Sequence, residues 1–192
     1  MATVPKHDHY EIKGFKSAAA FETWLKKNHD SKEGIWIKIA KASTGIATVT
    51  HVEALDVALC YGWIDGLRRG LDDTYFLQKF TPRKVNSLWS VINKRKVAAL
   101  IKAGRMQSSG IAAIAVAKKN GRWANAYDSP KNMKPSPKFL KALKLSPKAK
   151  KNFDDLNTQE KYAILLDLAK ASNDALREKR MAKHIETLEK MK

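Results

Sequence analysis

Between Cys60 and Ser90 the chain reads CYGWIDGLRRGLDDTYFLQKFTPRKVNSLWS, and the residues able to do chemistry gather there. Asp65 is a carboxylate in a Trp63-Ile64 apolar context, a costly group to bury without a partner. Arg68 follows three positions later. In a regular strand the two would face opposite ways, whereas a bulge at Gly66 would bring them to one side. The expectation is an ion pair between Asp65 and an Arg of this segment or Arg83. Arg83 and Lys84 come directly after Pro82, which cannot donate to a strand ladder. Asn86 and Ser87 are good helix caps. A helix starting there would aim free amides and its positive dipole end at the place held by two cations, an anion pocket for phosphate, sulfate or carboxylate. Trp63 and Trp89 flank the segment, and either can line a cleft with its N–H as donor.

This constellation supports two functional classes. One is a binding module that takes an anionic ligand through Asp65, Arg68, Arg83, Lys84, Asn86, Ser87, Trp63 and Trp89. The other is an enzyme of unassigned reaction, with Asp65 as acid/base and Arg68 or Arg83 holding an anion. The plain alternative is a charged surface hairpin with Asp65 in a structural bridge and its cations in water. Elsewhere the sequence has no phosphate-binding glycine loop, HExxH or CxxC pattern, and neither cofactor nor metal is expected. His7 and His9 form an H-x-H pair that lacks further ligands. Cys60, between Leu59 and Tyr61, reads as a buried structural thiol.

The elements that must hold these residues are legible in part. Ser17 caps a helix over residues 18–28, and the alternation of Ile35, Ile37 and Ile39 with Trp36, Lys38 and Ala40 marks a strand. Thr50 and Glu53 have capping-box spacing, and Gly62 ends the helix they open. Trp63-Ile64-Asp65 begins a strand, Asp72-Asp73 make a turn, and Tyr75–Phe80 return. A long helix is predicted from Asn86 or Ser87, and another from Ser108 or Ser109 to Lys119. Three prolines punctuate DSPKNMKPSPK. Beyond it, Ser146-Pro147 and Asn157–Glu160 start short helices and a last one runs from about Asp174 to Met191. The fold class expected is α+β, a small antiparallel sheet of three to four strands packed with helices, then a helical C-terminal tail. The expected division is a mixed domain over 1–128, a Pro-rich linker over 129–137, and a helical region over 138–192 packing on the first part, because so short a tail lacks a comfortable core of its own.

The chain has 192 residues and a formal net charge of +18. Residues 1–60 hold 8 Lys/Arg against 7 Asp/Glu, residues 61–128 hold 13 against 4, and residues 129–192 hold 16 against 8. The excess positive charge therefore lies after residue 60. Such a field attracts anionic small molecules or polyanions, with weak, sequence-independent and salt-sensitive nucleic-acid binding as the general expectation. A single cysteine excludes an internal disulfide and fits a reducing compartment. The opening residues lack an apolar signal-peptide core, and no apolar run approaches a membrane span, so a cytoplasmic location is expected. The oligomeric state is left open.

The run ALDVALCYGWIDGLRRGLDDTYFLQKFTPRKVNSLWSVINKRKVAALIKAGRM resembles the YdeI/OmpD-associated family of bacteriocin-protection proteins. The resemblance continues through GRWANAYDSP and the tail YAILLDLAKASNDALREKRMAKHIETLEKM, covering about Phe21 to Met191. CYGWIDG, FTPR and the following WS are its specific part. The tail departs from the family pattern at Leu176-Arg177, where a Thr-Arg pair is expected. The resemblance implies a role in bacteriocin resistance or envelope stress, and it supplies no enzyme activity, cofactor or catalytic residues.

Overall fold

A computed structural model of the chain describes residues 10–171 and 173–191. The His7–His9 pair lies outside the described residues. The chain forms two compact units, Met1–Ser87 with Asn93–Ala124, and Leu88–Ile92 with Asn125–Lys192.

The first unit is built on a sheet. Its elements are β1 (Ile12–Gly14), α1 (Ala18–Asn28), β2 (Ile35–Ala40), α2 (His51–Cys60), β3 (Trp63–Gly70) and β4 (Tyr75–Pro82), followed by most of α3 (Val91–Lys102) and α4 (Ser108–Lys119). The strands lie in the order β1-β2-β4-β3. The α+β class holds, but the sheet is mixed: β1 runs parallel to β2, and the other pairs are antiparallel. A parallel neighbour requires a crossover, and α1 supplies it. With only three residues, β1 is too short for its alternation to stand out in the sequence.

Register assigns the faces. Ile35, Ile37 and Ile39 of β2 oppose Phe80, Gln78 and Phe76 of β4, and side chains at alternate positions share a face. Helices cover this side: the ring of Phe21 in α1 is 5.7 Å from Phe80, and that of His51 in α2 is 6.4 Å from it. Trp36, Lys38, Tyr75, Leu77 and Lys79 point the other way.

Capping explains the helix starts. Ser17 Oγ accepts from the Ala20 amide, and Thr50 and Glu53 form a full capping box, both as the sequence predicts. At the far end of α2 the chain turns at Gly62, whose φ of +77° suits glycine. There α4 comes close: a Cβ on Gly110 would sit 2.2 Å from the Cys60 carbonyl oxygen, and the Gln107 amide bonds that oxygen at 3.0 Å.

The helix predicted from Asn86 or Ser87 instead begins at Val91. Two bonds account for the delay. The Lys84 amide donates to Ser87 Oγ and the Ser87 amide to the Lys84 carbonyl, each at 2.9 Å, closing a turn. Downstream, Ser90 forms a bridge with Tyr127, whose amide bonds the Trp89 carbonyl at 3.0 Å. That pairing holds the backbone extended up to the helix start.

The second unit carries α5 (Pro137–Lys144), α6 (Pro147–Asp155), α7 (Thr158–Ala169) and α8 (Asp174–Lys190). It has its own core, made by Phe139, Leu143, Ala149, Phe153, Leu165, Leu168 and Leu188. Phe139 and Phe153 meet edge-to-face at 5.4 Å, so an aromatic pair supplies much of the apolar area that short helices lack. Asp167 of α7 accepts from Arg180 at 2.9 Å and His184 at 3.0 Å, tying α7 to α8.

Candidate functional site

The predicted bulge is present. Asp65 pairs with Phe80 and Arg68 with Gln78, so three steps on β3 match two on β4, and Asp65 and Arg68 reach the same face. Gln78, only 2% exposed, sustains the bulge. Its amide nitrogen donates to the Gly66 carbonyl at 2.9 Å and the Leu67 carbonyl at 3.3 Å, and its oxygen accepts from Arg68 Nε at 3.0 Å. The Arg68 guanidinium also stacks 4.5 Å from the Phe76 ring centre.

The partner of Asp65 is a histidine. His51 Nε2 lies 2.9 Å from Asp65 Oδ2, both side chains being about a quarter exposed. A carboxylate only accepts, so Nε2 carries the proton. The expected pairing of Asp65 with an arginine is corrected on this point. His51 is the first residue of α2 and Asp65 the third of β3, and no sequence periodicity links positions 14 apart across a helix. The only signal was a carboxylate on an apolar strand, which announced a partner without naming it.

His51 borders a small cavity of about 250 Å³ with Thr48, Thr50 and Phe76. The hydroxyls beside it hold the fold. Thr48 Oγ1 accepts from the Ala40 amide at 3.0 Å, and Thr50 Oγ1 bonds Glu53 Oε2 at 2.8 Å. The dyad therefore fastens the start of α2 to β3, and Asp65 lines neither this cavity nor the larger one below.

Arg83 and Lys84 line a larger cavity, about 540 Å³, together with Lys32, Lys79, Ser31 and Thr81. Four of its walls are cations and, among the described residues, none is an acid. The Arg83 amide is anchored to the Gly62 carbonyl at 2.9 Å, which fixes the chain where it leaves the sheet. Asn86 and Ser87 do not supply a helix N-terminus here, because α3 starts later and the Ser87 amide is bonded within its turn. Trp63 is fully buried, its indole donating to the His29 carbonyl at 2.9 Å and its ring meeting Trp24 edge-on at 5.9 Å. Trp89 is buried and belongs to the second unit. Of the predicted site residues, then, Arg83 and Lys84 meet at a cavity, Asp65 and Arg68 share the bulge face, and the two tryptophans are packing residues. Lys32 and Lys79 were missed because each, read alone, is one more lysine in a lysine-rich chain.

Cys60 is 2% exposed, and burial pushes its thiol above the ordinary cysteine range. Burial and the Glu22 carboxylate together push the Tyr61 hydroxyl up to about 12. Both groups are packed at the end of α2 in uncharged form.

A family model for a domain of unknown function, DUF8412, matches residues 13–113, more than half of the chain. The chain belongs to this family. A second model, described as Bacteriocin-protection, YdeI or OmpD-Associated, matches residues 132–190. The resemblance read from the sequence is thus shown for the helical tail, while the CYGWIDG and FTPR motifs fall within the first match. Comparison with curated proteins and with solved structures finds no match. Among the described residues no helix is long and apolar enough to cross a membrane.

Proposed function

We propose that the chain is a basic binding module whose sheet unit takes an anionic ligand in the cavity lined by Lys32, Lys79, Arg83 and Lys84. The observation that carries this reading is the lining itself: four cationic residues around about 540 Å³, with no acid among the described residues. Clustered cations in a concave wall focus field and concentrate anions, and the volume lies within the range of small-molecule sites. A lysine ammonium is a compact point charge with three donors, suited to phosphate oxygens, and Lys32 and Lys84 bring two of them to this wall. The similarity of residues 132–190 to the bacteriocin-protection model supports a protective or envelope-stress role for this binding, and the reading has the module act from the cytoplasm. The enzyme reading has weaker support, since Asp65 is joined to His51 and lines neither cavity.

Calorimetric titration with inorganic pyrophosphate tests this reading. Lys32→Ala and Lys84→Ala should each weaken binding by about tenfold, from the ~1.5–3 kcal/mol of a charged hydrogen bond reduced by exposure. Lys150→Ala and Lys151→Ala, on α6, should leave it unchanged. Equal losses from all four changes would reduce the effect to total charge and refute the site.

A further inference from the structure

From Gly110 to Ala117, helix α4 has no polar side chain. Its inner side carries Gly110, Ile114 and Ala117, all buried, and lies against the end of α2 at Cys60. Its outer side carries Ile111, Ala112, Ala115 and Val116, which share one helical face and are all exposed. Ile111 is 45% exposed and Val116 41%. A helix that is apolar all round belongs inside a protein or in lipid, yet this one keeps a whole side in the open. Another exposed aliphatic joins it. Asn120 Nδ2 donates to the Val85 carbonyl at 2.7 Å, which brings Val85 to the end of α4, and Val85 is 65% exposed.

The charge around this face points to what covers it. Between Asp73 and Asp128 the sequence holds 11 Lys/Arg and no acid. Lys118 and Lys119 close the last turn of α4, both exposed, and Lys119 stands one turn beyond Ala115 on the outer side. Lys118 also lies 5.9 Å from the Trp123 ring centre, so Lys119 is the cation to test. A second copy of the chain would bring this cationic segment against itself, at a cost in like-charge repulsion. A nucleic acid would meet the lysines but leave the aliphatics without a partner, since Ile and Val offer no flat ring for stacking. An anionic lipid surface uses both: headgroup phosphates meet the lysines, and the aliphatic side chains enter the acyl boundary beneath.

We infer that the outer side of α4, with Val85 at its end, docks on an anionic membrane surface, Ile111 and Val116 entering the acyl boundary and Lys119 meeting lipid phosphate. The 12 residues of α4 rise about 18 Å, short of the ~30 Å bilayer core, so the helix lies along the surface and does not cross it. The inference goes beyond the anion-binding reading and does not rest on it, because α4 lines no part of that cavity.

Co-sedimentation of the full chain with vesicles tests the inference. One set is phosphatidylethanolamine with phosphatidylglycerol, the other phosphatidylcholine alone. The chain should partition onto the first at low salt and stay off the second. Ile111→Ser combined with Val116→Ser should weaken partitioning by about tenfold, the worth of two half-exposed aliphatics leaving water. Lys119→Ala should weaken it by about fivefold. Because these side chains point outward, circular dichroism and pyrophosphate binding should match the wild type. Leu145→Ser, at an aliphatic 81% exposed on the helical unit, should change nothing. Wild-type partitioning by the double variant would reduce the effect to charge and overturn the inference, as would equal binding to both kinds of vesicle or to neither. Self-association of the wild type that the double variant abolishes would assign the face to a second copy instead. Oligonucleotide binding weakened as much as vesicle binding by the double variant would assign it to nucleic acid, and either result overturns the membrane reading.

Discussion

The two faces of the β1-β2-β4-β3 sheet are made from the same strands and are chemically opposite. On one, Ile35, Ile37 and Phe80 are buried on the side of α1 and α2, and the buried polar side chain of Gln78 is hydrogen-bonded in the bulge beside Arg68. On the other, Arg69 and Lys79 lie 5.0 Å and 5.6 Å over the ring of Trp36, which is buried, as is Leu77. A strand's period of two is enough to separate a load of packing from a load of charge along one segment. The first face carries most of the packing, and the second carries the charge.

The largest expected effect lies on the helix-covered face. Phe80→Ala should lower unfolding free energy by about 3–5 kcal/mol, whereas Lys38→Ala should stay within about 0.5 kcal/mol. Denaturant unfolding of both variants compares them directly, and similar losses would erase the distinction between the faces. Gly110→Ala belongs to the same class, since its Cβ would meet the Cys60 carbonyl at 2.2 Å, so α4 has to move away from α2. Expression and melting temperature should both fall.

Gln78 sharpens the comparison at intermediate size. Gln78→Ala leaves the Gly66 and Leu67 carbonyls and Arg68 Nε without their partner, and should cost about 1–3 kcal/mol. A loss no larger than that of a surface substitution would mean the bulge is held by something else. Cys60 gives a reactivity test of the same packing. Its buried thiol, held above the ordinary range, should resist alkylation in the native protein and react once the chain is unfolded. Rapid native-state labelling would contradict its burial.

The smallest effect is at the cap of α2. The Thr50 amide and then the Thr50 hydroxyl hold the Glu53 carboxyl below its ordinary value. A depressed folded-state pKa means that its contribution is complete above the unfolded-state pKa and is lost as pH falls through the folded-state value. Unfolding measured at neutral and acidic pH should therefore show a small acid-side loss that Glu53→Gln removes. An identical pH profile in the variant would disprove the linkage.

What the sequence revealed follows the range of each interaction. Caps at Ser17, Thr50, Ser146 and Asn157 were legible because a cap and its amide are two or three residues apart. The alternation of β2 and β4 was legible for the same local reason, and it already separated Lys79 from Phe80. The bulge was legible only as a condition, since Gly66 permits it but Gln78 enforces it. The His51–Asp65 pair and the gathering of Lys32, Lys79, Arg83 and Lys84 were not legible, because both depend on how β3, β4 and the segment after α1 come together. The start of α3 was misread for a related reason: Asn86 and Ser87 have the right side chains for a cap, but Ser87 closes a turn with Lys84, and the Tyr127 pairing keeps the following residues extended.

The central claim is that this protein binds anions at one place rather than by its overall charge. Backbone amide chemical-shift mapping during titration with inorganic pyrophosphate tests it most directly. Shifts that saturate together at Ser31, Lys32, Thr81, Arg83 and Lys84, with Lys144, Lys150 and Lys151 of the helical unit unmoved, are the predicted result. Small unsaturated shifts spread over both groups of lysines would contradict it.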